Sequence, residues 1–153
     1  DVLGSRGLGD VYKRQAVDDM VRQVIRKYAK IFISKKIKMN FKPTGRYIVT
    51  DDKWFVFVLE QFISNALKYT KKGQISIYMK EKSLVIEDTG IGIPAEDLPR
   101  IFEKGFTGYN GRENKKSTGI GLYLCKNIMD KLQWNITVDS EVGSGTKIYL
   151  TKM

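Results

Sequence analysis

Histidine is missing from all 153 residues, and cysteine occurs once, at position 125. Together these absences exclude disulfides within the chain, Cys/His zinc clusters, Ser-His-Asp triads and Cys-His dyads. Cys125 is left as a small buried hydrophobe. Long apolar runs are lacking too. The richest stretch, Trp54 to Leu67, is broken by Glu60, Gln61 and Asn65, so it falls short of the roughly 18 uninterrupted apolar residues a membrane span needs. Acid is absent between Met20 and Thr50, where nine Lys or Arg stand (22, 26, 27, 30, 35, 36, 38, 42 and 46) in a chain of net charge +10. Nucleic acid, an anionic membrane surface or an acidic protein could each use such a patch. A solvated helix face with some attraction for a polyphosphate explains it equally well. The aromatics here (Tyr28, Phe32, Phe41, Tyr47) fall on apolar faces and form no stacking platform, so no nucleic-acid partner is expected.

What is present fits one domain with a real core. Residues 1–15, DVLGSRGLGDVYKRQ, show neither a period near 3.6 nor a clean alternation; they are set aside as a non-native or disordered leader, leaving a domain over 16–153. From Val17 to about Ser34 apolar residues recur at helical spacing with bases between them, which predicts an amphipathic helix. IKMNF (37–41) and YIVT (47–50) read as short strands around the turn KPTG. Asp51 or Asp52 then caps a helix from about Lys53 to Tyr69. QISIYMK and SLVIED predict a hairpin. The stretch from Pro94 to Ser117 is charged and glycine-bearing, and such an insert in a compact domain is functional or mobile. A third helix is expected from Thr118 to Leu132, followed by strands WNITVDS and TKIYLTK joined by EVGSG. One-sided alternation in the strands predicts a two-layer α/β (α+β) sandwich, a mixed and mostly antiparallel sheet covered on one face by about three helices.

Several stretches carry chemistry. EDTGIGIP (87–94) puts an acid before two glycines directly after an apolar strand. Gly90 and Gly92 allow a sharp bend and close ligand approach, and Asp88 either caps the turn or reads a ligand. On the second helix Gln61, Asn65 and Lys68 fall at i, i+4 and i+7 and share one stripe. That stripe is a solvated face, or it holds magnesium and a phosphate chain, since Mg²⁺ takes oxygen ligands and keeps several waters. STGIGLYL opens the third helix with Gly119 and Gly121 at its first turn, a seat for anions. Arg112, Lys115 and Lys116 lie between the two glycine loops, placed to fold over a polyphosphate.

The order of these motifs, NALKYT on a helix, DTGIGIP after a strand, IFEKGF, STGIGLYL and then GSGT between two strands, resembles the catalytic ATP-binding domain of bacterial sensor histidine kinases. That domain belongs to the wider fold shared with gyrase, Hsp90 and MutL. KWFVFVLEQFISNALKYT together with EKGFTGYNGRENKKSTGIGLYLC is similar to the small Gram-positive kinases that work beside peptide-antibiotic transporters. The resemblance implies that Asn65 coordinates Mg²⁺, that Asp88 accepts the adenine amino group, and that Lys68 and Tyr69 contact phosphate and nucleotide, with Asn65 and Lys68 as catalytic residues. Gly90, Gly92, Gly119 and Gly121 permit close approach, and Gly143 to Thr146 close the far edge of the pocket. The same resemblance places Gln61, Ile93, Phe102, Arg112, Lys116, Thr118, Leu122 and Thr146 around ATP, makes 94–117 a long mobile lid, and has Phe102 and Phe106 pin it. A carboxylate accepts from adenine's amine, whereas guanine would set a carbonyl against it. Gln61 stands where the gyrase-type ATPases carry the glutamate that activates water, and an amide takes no proton near neutral pH. Glu60 is adjacent but points about 100° away.

The implied function is transfer of the γ-phosphate of Mg-ATP to a histidine on an upstream dimerisation domain that this chain does not contain. A nucleotide-sensing or partner-binding module without transfer is the alternative. Implied partners are that upstream domain, a cognate response regulator reached through it, a second copy in a homodimeric parent, and an anionic membrane surface. The implied location is a cytoplasmic domain of an integral membrane protein.

Overall fold

The computed structural model describes residues 12–107 and 119–153. In chain order the elements are β1 (Tyr12–Ala16), α1 (Val17–Lys35), β2 (Lys38–Phe41), β3 (Tyr47–Asp51), α2 (Asp52–Tyr69), β4 (Gln74–Lys80), β5 (Ser83–Asp88), a 3₁₀ turn (Leu98–Arg100), α3 (Gly121–Lys131), β6 (Trp134–Glu141) and β7 (Gly145–Lys152). Five strands form one sheet in the order β2-β4-β5-β7-β6. Within it β2 lies parallel to β4 and the other pairings are antiparallel. Three helices cover one face, so the two-layer sandwich expected from the alternation is what forms.

The buried faces explain the layering. On α2, Phe55, Leu59, Phe62, Ile63 and Leu67 are buried, and they meet Val21 and Val24 of α1, Cys125 and Met129 of α3, and Ile75, Ile77, Leu84, Ile86, Ile136 and Leu150 of the sheet in one core. Burying each large aliphatic side chain contributes ~1.5–3 kcal/mol. Asp51 is the residue that caps α2. It is buried, and its Oδ1 accepts from the N–H groups of Lys53 (3.1 Å) and Trp54 (3.5 Å). Asp52, half of the sequence alternative, lies inside the helix and accepts from Lys53 N at 2.9 Å.

Four expectations are corrected. β2 and β3 do not pair around KPTG. β3 instead pairs antiparallel with β1, from Tyr12↔Asp51 to Ala16↔Tyr47, in a separate two-stranded ribbon. The reason is that the turn is gripped by α1: Asp18 accepts from Thr44 N (2.8 Å), Thr44 Oγ1 (2.7 Å) and Gly45 N (3.0 Å), and the chain crosses between the sheets there. Tyr12 to Gln15, excluded with the leader, thus belong to a strand; residues 1–11 lie outside the described residues. Tyr47, expected on an apolar face, is 58% exposed and carries the Arg14 guanidinium 4.2 Å above its ring. The third helix begins at Gly121, not Thr118, because Gly119 has φ +72, which no right-handed helix accommodates.

Candidate nucleotide-binding site

Three strands of the sheet keep the same alternation and break it at the same end. Leu84 and Ile86 of β5, Leu150 and Ile148 of β7, and Ile136 and Val138 of β6 stand opposite one another as apolar rows under the helices. The next row is polar: Asp88 pairs with Thr146, and Thr146 with Ser140. Side chains two residues apart share a face, so a carboxylate and two hydroxyls continue the core-facing surface beyond the core.

Asp88 lies half-buried at the end of β5, and its Oδ1 accepts from Gly90 N at 2.8 Å. Burial pushes its pKa above the ordinary carboxylate value, while the backbone N–H groups of Gly90 and Thr146 pull it back and Glu87 adds to the rise. A carboxylate has about four acceptor sites on its two oxygens, so these backbone bonds leave Asp88 further acceptor capacity. The loop after it is fastened on both sides. Ile91 N donates to Tyr69 O (3.1 Å) at the end of α2, Gly143 N donates to Ile91 O (2.9 Å), and Ile93 N donates to Ser140 Oγ (2.8 Å). Gly92 is required twice over: its φ is +78, and a Cβ there would overlap the backbone of Glu141 and Val142. EDTGIGIP is thus wedged between the C-terminus of α2 and the β6–β7 turn.

Gln61, Asn65, Lys68 and Tyr69 are each half-buried on α2, and the helix meets the loop at its C-terminus through Tyr69 O. Among the described residues Gln61 and Asn65 have no side-chain hydrogen bond recorded, and the Lys68 ammonium sits 5.7 Å over the Tyr69 ring. Glu60 points elsewhere, to Lys27 of α1 at 3.1 Å. Gln61 packs at the start of α3, where its side-chain oxygen fills the place a Cβ of Gly121 would take. Leu122 and Phe102 are partly buried against the core. Phe106 is half-buried under the Arg100 guanidinium at 4.5 Å. Gly119 O accepts from Gly105 N at 3.1 Å, joining the two ends of the glycine-rich segment. Arg112, Lys115, Lys116 and Thr118 lie outside the described residues. Two neighbours escaped sequence reasoning. Ser140 is one, although its place in the inward alternation Trp134, Ile136, Val138 was a signal for it. Thr70 is the other: it is fully buried at the end of α2 and packed on Gly90, and its hydroxyl has no partner among the described residues.

No cluster of three His, Cys, Asp or Glu that could hold a metal occurs among the described residues. A single amide oxygen such as that of Asn65 suits Mg²⁺ bound mainly through phosphate oxygens and water.

This combination of a strand-end carboxylate, a glycine loop clamped to it and an amide-bearing helix coincides with a family match. The profile described as "Histidine kinase-, DNA gyrase B-, and HSP90-like ATPase" covers residues 50–152. The chain belongs to this family. The "Sensor histidine kinase YxdK" of Bacillus subtilis is 37% identical over 155 residues, 93% of this chain and 47% of that protein. The "Sensor protein kinase GraS" of Staphylococcus aureus is 43% identical over 108 residues, 68% of this chain and 31% of its own. The chain thus spans about half the length, or less, of these curated relatives. Both come from Gram-positive bacteria, in keeping with the subfamily resemblance in the sequence. The catalytic domain of the histidine kinase ThkA, in a nucleotide-free form, shares the fold with a TM-score of 0.75 at 19% identity, over 92% of this chain and 95% of that one. As an ATP-binding domain of the histidine kinase-, gyrase- and HSP90-like family, the chain has the architecture that its motif order implied. Among the described residues no helix is long and apolar enough to cross a membrane.

Proposed function

We propose that the chain is the ATP-binding catalytic domain of a two-component sensor histidine kinase, and that it presents the γ-phosphate of Mg-ATP to a histidine on an upstream dimerisation hairpin. The observation that carries this is the polar pair at the sheet's end, Asp88 opposite Thr146, beside a glycine loop clamped to the C-terminus of the helix that bears Asn65. Asp88 accepts from the adenine amine. Lys68 and the backbone around Gly119 and Gly121 neutralise and seat phosphates, as phosphoryl transfer requires. Asn65 would hold Mg²⁺, which shields the charge of the phosphate oxygens. The imidazole nitrogen forms the new N–P bond as the β–γ bridging P–O bond breaks, and ADP leaves. Gln61 turns toward Gly121 and Glu60 is paired with Lys27. Neither supplies a base for water, so transfer is favoured over hydrolysis.

The relatives named as sensor kinases support this reading. Because the chain contains no histidine, the acceptor that this reading requires lies on a separate segment. A cognate response regulator then receives the phosphoryl group from that acceptor in a homodimeric, membrane-anchored parent. The basic residues 22–46 face the anionic inner leaflet, which flotation with anionic vesicles at physiological salt tests. The deciding experiment adds radiolabelled ATP to the chain with and without a separately produced dimerisation hairpin of the parent. Label should enter the hairpin and not the chain. Acid-labile phosphate on the chain alone contradicts this placing of the acceptor, and a hairpin that stays unlabelled favours a nucleotide-sensing module.

A further inference from the structure

Ser140 Oγ stands at the centre of a small hydrogen-bond hub beside the pocket. Ile93 N donates to it at 2.8 Å, Gly145 O accepts from it at 3.0 Å, and Thr146 Oγ1 lies 2.8 Å away with either hydroxyl able to donate. A serine hydroxyl has one proton. Two arrangements follow. If Ser140 donates to Gly145 O, the Thr146 hydroxyl donates to Ser140, and Thr146 shows the pocket lone pairs only. If Ser140 donates to Thr146 Oγ1, the Thr146 proton is released toward the pocket. Ile93 N–H occupies one lone pair of Ser140 in both cases and holds the hydroxyl in place.

The ladder sets Thr146 directly opposite Asp88. A base whose exocyclic amine donates to Asp88 carries a ring nitrogen next to that amine, and a ring nitrogen needs a donor. We infer that Ser140 is a positioning residue for the base: it turns its single proton from Gly145 O to Thr146 Oγ1 when the base docks, so that Thr146 donates to the ring nitrogen beside the amine held by Asp88. The Ile93 bond, present in both arrangements, fastens the same serine to the glycine loop. This rests on the adenine-binding reading above. It extends it to a residue that touches no ligand.

Calorimetry with ADP on the full chain, with Ser140→Ala, Thr146→Val and the double variant, tests it. The loss of one hydrogen bond to a neutral group predicts about five- to tenfold weaker binding for each single variant. The double variant should be within about twofold of Thr146→Val, because Ser140 acts through that hydroxyl, and Ser140→Thr should restore binding to near the unsubstituted level. Losses that multiply, or an unaffected Ser140→Ala, overturn the inference while leaving the adenine reading intact. An unsubstituted, folded chain that does not bind ADP overturns the adenine reading itself. Should Ser140→Ala not fold, Ser140→Cys, close in size and a poor donor, carries the same cycle.

Discussion

The side-chain oxygen of Gln61 on α2 occupies the space that a Cβ on Gly121, at the start of α3, would fill. The two helices that border the site are therefore in register through an amide and a missing methyl group. Gly121→Ala must displace the Gln61 amide, but that amide is the free end of a flexible side chain and can swing aside, while Ala in place of Gly in a helix contributes ~0.5–1 kcal/mol. Thermal unfolding should therefore show little net change in Tm for Gly121→Ala. The same change should raise Tm in a Gln61→Ala background, where the obstructing amide is gone. Equal effects in both backgrounds would show that the contact does not govern the helix spacing.

Asp18 ties the α1 first turn to the chain crossing at Thr44 and Gly45. Burial works to raise its pKa, but the three hydrogen bonds from Thr44 and Gly45, with help from Arg22, outweigh it and hold the carboxyl below its usual value. A depressed folded pKa stabilises above the unfolded value, and that contribution is lost as pH falls through the folded value. Asp18→Ala should cost ~1–3 kcal/mol by urea unfolding at pH 7. The difference from the unsubstituted chain should close as the pH drops below about 4. A gap that persists in acid would assign the effect to packing.

Cys125 is fully buried, and burial pushes its thiol pKa to about 12. The thiolate is the reactive form. A chromogenic disulfide reagent at pH 8 should leave the native chain unmodified over minutes and react at once in denaturant. Prompt reaction of the native chain would mean that α3 opens readily from the core.

Much of this architecture was legible. The inward stripes of α2 and of β4–β7 are period signals strong enough to give the hairpins, the buried helix faces and the one-sided sheet. The motif order pointed to the family. What local pattern did not carry was long-range partnership. KPTG has the composition of a hairpin turn, but Asp18, 26 residues earlier, captures it and sends β3 to pair with β1. Tyr12 to Gln15 show no alternation because a two-stranded ribbon needs little burial of its own. Gly119 looked helical by its neighbours, yet its positive φ ends any such run. Ser140 follows the inward alternation of Trp134, Ile136 and Val138, but its place beside the site shows only once its opposite number, Thr146, is known.

The proposed function gives Asp88 the central part, selection of the base. Titration of the folded chain with Mg-ATP and Mg-GTP, read by calorimetry and by thermal shift, tests this. Mg-ATP at 100 times its Kd should add ~2.7 kcal/mol of stability, Mg-GTP at the same concentration should add little, and Asp88→Ala should erase the difference. Equal binding of the two nucleotides, or a preference that survives Asp88→Ala, would contradict it.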